Sequence, residues 1–369
     1  IRDGSSLIFT AYLGLIVFGR LHRLAVPRGL ILAGVSFLIL YVAAYAFLLQ
    51  RGYPAIIGIY GIRFIQFMPF AFLFFALSKR YGERVLHHLG YLLALFTLVQ
   101  CFFGVWQIFS IRPVFGSTIF GSRPFGTMPL PHHFGMTMAL VSFVFVLIDT
   151  RWARWCALAC VLMTLTSGSR LGILMAAIST AFYVSNRLET RHRLLKPLLV
   201  LVGPLILVLL LMVISDPAIS GRETTFGVDG RIGLWLAMLD RCLTDLPSFF
   251  LGSGLGLGAN ATFISFRGQF PEIQWVDSFV FYILGSFGFP GLFLLFGTFF
   301  ALLRAGNRYS MPWVMAMVGM CAVSFTAFEL FPINAILYTL MGWALGDRGW
   351  RPHARVELER QAFGQMVAR

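Results

Sequence analysis

Long, continuous apolar runs recur along this chain at the spacing needed to cross a lipid bilayer many times. About 20 apolar residues make one helical span. Backbone groups in lipid must be satisfied within the protein, which leaves only helices and closed barrels. The runs are unbroken rather than short and alternating, which excludes a barrel. With 58% apolar and only 12% charged residues in 369, a water-soluble fold would expose far more apolar surface than monomers tolerate.

Eleven spans are predicted, roughly Leu7–Phe18, Leu30–Leu49, Ile56–Leu77, Leu86–Ser110, Phe134–Ile148, Trp155–Thr166, Leu171–Val184, Pro197–Ile214, Ser278–Leu303, Met311–Phe328 and Ile333–Leu345. The expected fold class is an all-α polytopic membrane protein. N-terminal transmembrane helices occupy 1–214, a large outer loop 215–277, C-terminal helices 278–345 and a polar, basic tail 346–369. The first run is short and the chain starts at Ile1 without methionine; a missing first helix would raise the total to twelve.

The net charge of +14 is unevenly shared. One set of loops, with the tail, holds 19 of the 29 basic residues against six acids; the opposite set holds ten against nine. Cytoplasmic loops carry the excess of Lys and Arg, so the first set faces the cytoplasm. That accounts for the basic balance without nucleic acid, for which no polar domain with basic residues and stacking aromatics exists. The five cysteines lie far apart or inside spans, and Cys156 and Cys160 are spaced for one helix face, so neither a disulfide framework nor a structural metal is expected.

Two outer loops are long, about 111–133 and 215–277, the second too long for a mere connection. Within it, Ile232, Trp235, Leu236, Leu239 and Leu243 recur at helical spacing, with Asp229 placed to cap the start. This predicts an amphipathic helix on the outer face of the bundle.

The outer basic residues are all arginine. Guanidinium offers a planar fork of donors that grips phosphate in bidentate fashion and stays charged at physiological pH. Arg123, Arg170, Arg222, Arg231 and Arg241 are the candidate anion-binding residues, the alternative being lipid headgroups or local acids as partners. Arg170 adjoins apolar helix, where a charge is costly unless it faces a polar cavity. Asp277, at the start of a span, and Glu329, flanked by Phe328 and Leu330, are the candidate general bases. His132 and His133 are adjacent, a poor spacing for one metal ion, and no third ligand is evident. Gly252, Gly254, Gly256 and Gly258 lack the P-loop pattern, and a turn or close backbone packing is the better account.

Three stretches in order resemble the O-antigen ligase and polymerase superfamily of bacterial envelope glycosyltransferases (Wzy-like polymerases, WaaL-like ligases). Arg123-Pro-Phe-Gly-Thr-Met-Pro-Leu-Pro-His132 is similar to its R-x-x-G-[TS]-hydrophobic-x-x-P-[NH] turn before a span. Thr166-Ser-Gly-Ser-Arg-Leu-Gly172 is similar to its T-x-S-R-[GT] turn. Gly230-Arg-Ile-Gly-Leu-Trp235 followed by Leu251-Gly-Ser-Gly-Leu-Gly256 is similar to the R-x-x-x-W helix and G-x-G turn of its large periplasmic loop. The resemblance implies a GT-C-like helical bundle in the bacterial inner membrane, with a periplasmic site that moves glycan from an undecaprenyl-diphosphate carrier to an acceptor without metal or cofactor. Besides that carrier it implies bilayer lipids and a chain-length regulator as partners. Ligases tend to place a histidine where the long loop returns to the membrane, whereas polymerases more often place Asp with a small polar residue there, as in Val276-Asp277-Ser278. Polymerisation of O-antigen, capsule or exopolysaccharide units is therefore the leading expectation. Ligation to lipid A core is the first alternative, and a lipid-linked oligosaccharide flippase is an alternative of another class.

Overall fold

The structure is a computed structural model, and it describes residues 26–61, 63–110, 124–128, 130–187, 228–266, 269–270, 276, 278–324, 328 and 330–347. Those residues form thirteen α-helices and no strand. In order they are α1 (Arg28–Gln50), α2 (Ala55–Gly61), α3 (Met68–Tyr81), α4 (Arg84–Ser110), α5 (Pro131–Ile148), α6 (Arg151–Ser167), α7 (Arg170–Arg187), α8 (Val228–Leu243), α9 (Leu246–Leu251), α10 (Asn260–Phe266), α11 (Phe279–Ala305), α12 (Met311–Ala322) and α13 (Phe331–Gly346). Five stretches are long and apolar enough to cross a membrane: α1, the run from Ala55 to Tyr81, α4, α5 and α11. Shorter apolar helices cover Arg170–Ser185 and Met311–Ala322. The protein is thus an all-helical membrane protein. The expected spans at Leu7–Phe18 and Pro197–Ile214 lie outside the described residues.

The chain divides into two compact units. The first comprises residues 1–73, 216–305 and 318–339; the second comprises 74–215, 306–317 and 340–369.

In the second unit α5 is the central element. Sixteen of its 18 residues are buried, because α4, α6 and α7 pack around it. A helix that is apolar on every side needs such surroundings. Pro131 opens it, where a missing N–H costs nothing, and Asp149 closes it in the left-handed conformation. The Arg154 guanidinium then bonds both the carboxylate of Asp149 (3.0 Å) and its carbonyl (3.2 Å).

In the first unit the predicted span from Ile56 to Leu77 is interrupted. α2 stops at Gly61, and a 3-10 turn over Arg63–Ile65 precedes α3. Breaking a helix frees carbonyls, which apolar surroundings punish unless side chains satisfy them. Here two of them are satisfied from distant segments: the Tyr282 hydroxyl donates to Gly61 O (2.6 Å), while Asn334 Nδ2 (3.1 Å) and the Tyr338 hydroxyl (2.9 Å) both donate to Phe64 O. The Phe64 ring packs edge-on against Phe37, Phe279 and Tyr282.

α11 is bent at Gly288, whose φ of 65° and ψ of −165° are open only to glycine, with Pro290 two residues on. The glycine run expected to be a packing turn is one. Gly254 N–H donates to Gly285 O (3.2 Å), Gly256 N–H to the Ser286 hydroxyl (3.3 Å), and a Cβ on Gly256 would strike Ile57 O and the Gly61 backbone.

The predicted amphipathic helix is α8, beginning at Val228, one residue before the proposed cap Asp229. Its buried stripe is rotated from the expected one. Met238 and Cys242 are buried and Trp235 stacks on Phe281 at 5.2 Å, whereas Leu236 and Leu243 are 59% and 56% exposed. The partner sets this rotation: Gly285 on α11 has no side chain, and the Met238 sulfur fills the space.

Candidate functional site

The second unit brings two of the three sequence motifs together at the N-terminal end of α5. Motif one enters as the turn Pro124–Met128, and two glutamines one above the other on α4 hold it. Gln107 Oε1 accepts from the N–H groups of Phe125 (2.7 Å) and Gly126 (2.8 Å), while its Nε2 donates to Gly126 O (2.8 Å). Gln100 Oε1 accepts from Thr127 N–H (3.0 Å), and its Nε2 donates to the Thr127 hydroxyl. The N–H groups of Phe125, Gly126 and Thr127 and the Gly126 carbonyl, which apolar surroundings would otherwise strand, are thereby paired.

Motif two, Thr166 to Gly172, has a structural reason at nearly every position. Ser167 donates to Thr164 O (2.7 Å) as α6 ends, and Gly168 takes the left-handed conformation with φ of 60°. Ser169 caps α7: its hydroxyl accepts from Gly172 N–H (3.1 Å), the position three residues on. That hydroxyl also donates to His132 O in motif one (3.3 Å). Gly172 lies against the backbone of Gly135, and Gly135 against Ser167 and Ser169.

Arg170 is the exception. It is the first residue of α7, exposed, with no hydrogen bond or ion pair to any described residue. A cation at a helix N-terminus opposes the macrodipole at about 0.3–1 kcal/mol. The Ser169–His132 bond sets the N-termini of α5 and α7, each 18 residues long, side by side. The positive ends of two helix dipoles favour an anion. The two features together make this corner a positively polarised surface. Beside it His133 is buried, its ring 4.0 Å from that of His132, and neither of its nitrogens has a partner among the described residues.

In the first unit Arg231 and Arg241 both lie on α8. Ten residues apart, they are roughly 80° apart around the helix at 3.6 residues per turn, so they do not share one line of the surface. Arg241 is half-buried. Arg123, Arg222, Asp277 and Glu329 lie outside the described residues; the neighbours Val276, Ser278 and Phe328 are buried. Among the described residues no three His, Cys, Asp or Glu side chains gather as a metal site would need.

Several residues that organise these regions were not singled out by the sequence. Gln100 and Gln107 were polar residues seven apart inside an apolar run, and that spacing was the available signal. Arg51, just after α1, donates to Ser253 O (2.9 Å), to the Ser248 hydroxyl (3.2 Å) and to the Asp245 carboxylate (3.4 Å), and its guanidinium lies over the Phe47 ring. Asp245 in turn caps α9 by accepting from Ser248 N–H (2.6 Å). The Ser248 amide and hydroxyl, with Arg51 behind them, hold the Asp245 carboxyl below its ordinary pKa. No signal for the Asn334 and Tyr338 bonds to Phe64 existed in the sequence, since the partners are some 270 residues apart. No model of a protein family matches this chain, and no curated protein matches it.

Proposed function

We propose that the protein is a glycosyltransferase that polymerises undecaprenyl-diphosphate-linked oligosaccharide units at the periplasmic face of the bacterial inner membrane. The reading carries with it a GT-C-like bundle of about eleven spans and a product that is O-antigen, capsule or exopolysaccharide. One observation carries it furthest: Arg170 has no partner among the described residues and stands exposed at a helix start where a cation is unfavourable, within a turn whose side-chain hydroxyls are all hydrogen-bonded. A bound anion repays that arrangement, and a lipid-linked diphosphate is the anion that meets a protein at the membrane surface.

In this reading Arg170 neutralises charge on the diphosphate as it leaves, and the sequence assigns Arg231 to the same role with Arg123, Arg222 and Arg241 in support. The bond between the anomeric carbon and the diphosphate oxygen breaks, with the electron pair leaving on the diphosphate. A hydroxyl of the acceptor sugar forms the new bond, and its proton passes to the Asp277 carboxylate, with Glu329 in reserve. Arginine supplies the positive charge, so the reading needs no metal or cofactor.

The test is polymer formation in cells carrying Arg170→Ala or Arg231→Ala. The expected result is loss of polymer at unchanged protein level in the membrane. Polymer of normal length from both variants contradicts the roles.

A further inference from the structure

In the first unit a groove of about 630 Å³ runs between α1, α9 and the bent part of α11. It is lined by Ile39 and Ala43 of α1, Phe249 and Phe250 of α9, and Pro290 and Phe293 of α11. It lies at the kink of α11, where a Cβ on Gly288 would meet the backbone of α9. Its rim is apolar and outward-facing: Phe293 is 76% exposed, Ile39 66% and Phe250 49%. α1 and α11 are both membrane spans by length and composition, so this rim continues their lipid-facing surface.

A polar cluster adjoins the groove lining at Phe249. Phe249 follows Ser248, whose hydroxyl accepts from Arg51, and Arg51 is paired with Asp245. Both charged side chains keep solvent access, at 34% and 44% exposure. Along α1, Arg51 stands twelve residues beyond Ile39, roughly 18 Å at 1.5 Å per residue. The hydrocarbon of one leaflet is about 15 Å deep. A lipid whose headgroup rests at Arg51 and Asp245 therefore has its chain at the depth of the groove.

We propose that this groove binds one acyl chain of a zwitterionic phospholipid, phosphatidylethanolamine in chemical type, with its phosphate on Arg51 and its ammonium facing Asp245. The paired charges select this occupant. A diphosphate headgroup carries only negative charge and would meet the Asp245 carboxylate, and a neutral glyceride would add no counter-charge to the exposed part of either group, whereas a zwitterion matches the Arg51–Asp245 pair end to end. The site is independent of the glycosyl-transfer reading.

The test uses the purified full chain in nanodiscs containing phosphatidylethanolamine with a photoactivatable group at mid-chain. Cross-links are expected to concentrate on Ile39–Ala43 and Phe249–Phe250. They should fall severalfold when the headgroup is changed to glycerol, and Asp245→Asn should abolish that preference. Ala43→Phe should remove the groove cross-links while sparing those near Phe300. Even labelling along the exposed face of α1 with no headgroup preference would mean ordinary boundary lipid and overturn the proposal, as would preferential capture of a polyprenyl-diphosphate probe. If Ala43→Phe fails to fold, the headgroup comparison on the unmodified chain decides alone.

Discussion

The Ser169 hydroxyl donates to the carbonyl of His132 at 3.3 Å while accepting from Gly172 N–H at 3.1 Å. One side chain thus caps α7 and fastens it to the start of α5. This is the joint between two motifs 37 residues apart in sequence, and Arg170 projects from it.

Gly172→Ala tests how tightly the joint is built. A Cβ there would lie 2.7 Å from the carbonyl carbon of Gly135, and backbone does not yield as a side chain does. Overpacking of this kind costs about 1–3 kcal/mol, and alanine's helix preference of about 1 kcal/mol does not reverse it. Thermal unfolding in detergent should show a lowered Tm, and an unchanged or raised Tm would mean that the helices separate freely at this point.

Gln107→Leu should cost more than an ordinary polar deletion. It strands the N–H groups of Phe125 and Gly126 and the Gly126 carbonyl in a buried setting. Each unsatisfied group costs about 1–3 kcal/mol. Gln107→Glu keeps both acceptor contacts and loses only the donor, so it should fall between the wild type and Gln107→Leu in Tm. Equal effects of the two substitutions would show that volume, not hydrogen bonding, matters.

Asp245 makes a pH-dependent contribution. Its folded pKa lies below the ordinary 3.8 because Ser248 N–H and hydroxyl bond the carboxylate, with Arg51 adding to the effect. A lowered folded pKa gives stability that is complete above the ordinary value and is lost as pH falls through the folded value. The Tm gap between wild type and Asp245→Asn should be constant near neutrality and close progressively below about pH 4. A gap that persists unchanged into acid would rule out this role.

Cys242 should resist thiol reagents. It is buried under α11, its thiol donates to Leu284 O at 3.5 Å, and burial pushes its pKa up to about 11. The reactive thiolate is then scarce at neutral pH. Maleimide should label Asp240→Cys, which is exposed, far faster than native Cys242 in the folded protein. Comparable rates would mean that α8 does not stay docked on α11.

The described helices show what a sequence of this kind makes readable. Apolar run length located α1, α4, α5 and α11, because bilayer thickness sets a length that no other part of the chain needs. Periodicity located α8 but misplaced its buried face, since Leu236 and Met238 are equally apolar and only Gly285 opposite decides which one fits. The break at Gly61 was hidden inside an apolar run; its stability rests on Tyr282, Asn334 and Tyr338, contributed from distant segments. The two arginine motifs were legible as turns, whereas the glutamines that brace the first of them were not recognised as part of it.

The most direct measurement is turnover by the purified protein with an undecaprenyl-diphosphate-linked oligosaccharide, in the presence of a metal chelator. The account predicts a ladder of lengthened glycan from the wild type, a rate lower by about 10²–10³ for Arg170→Ala, as for loss of one charge-stabilising donor, and partial recovery with Arg170→Lys. A wild-type ladder from Arg170→Ala, or no lengthening by the wild type, would contradict it.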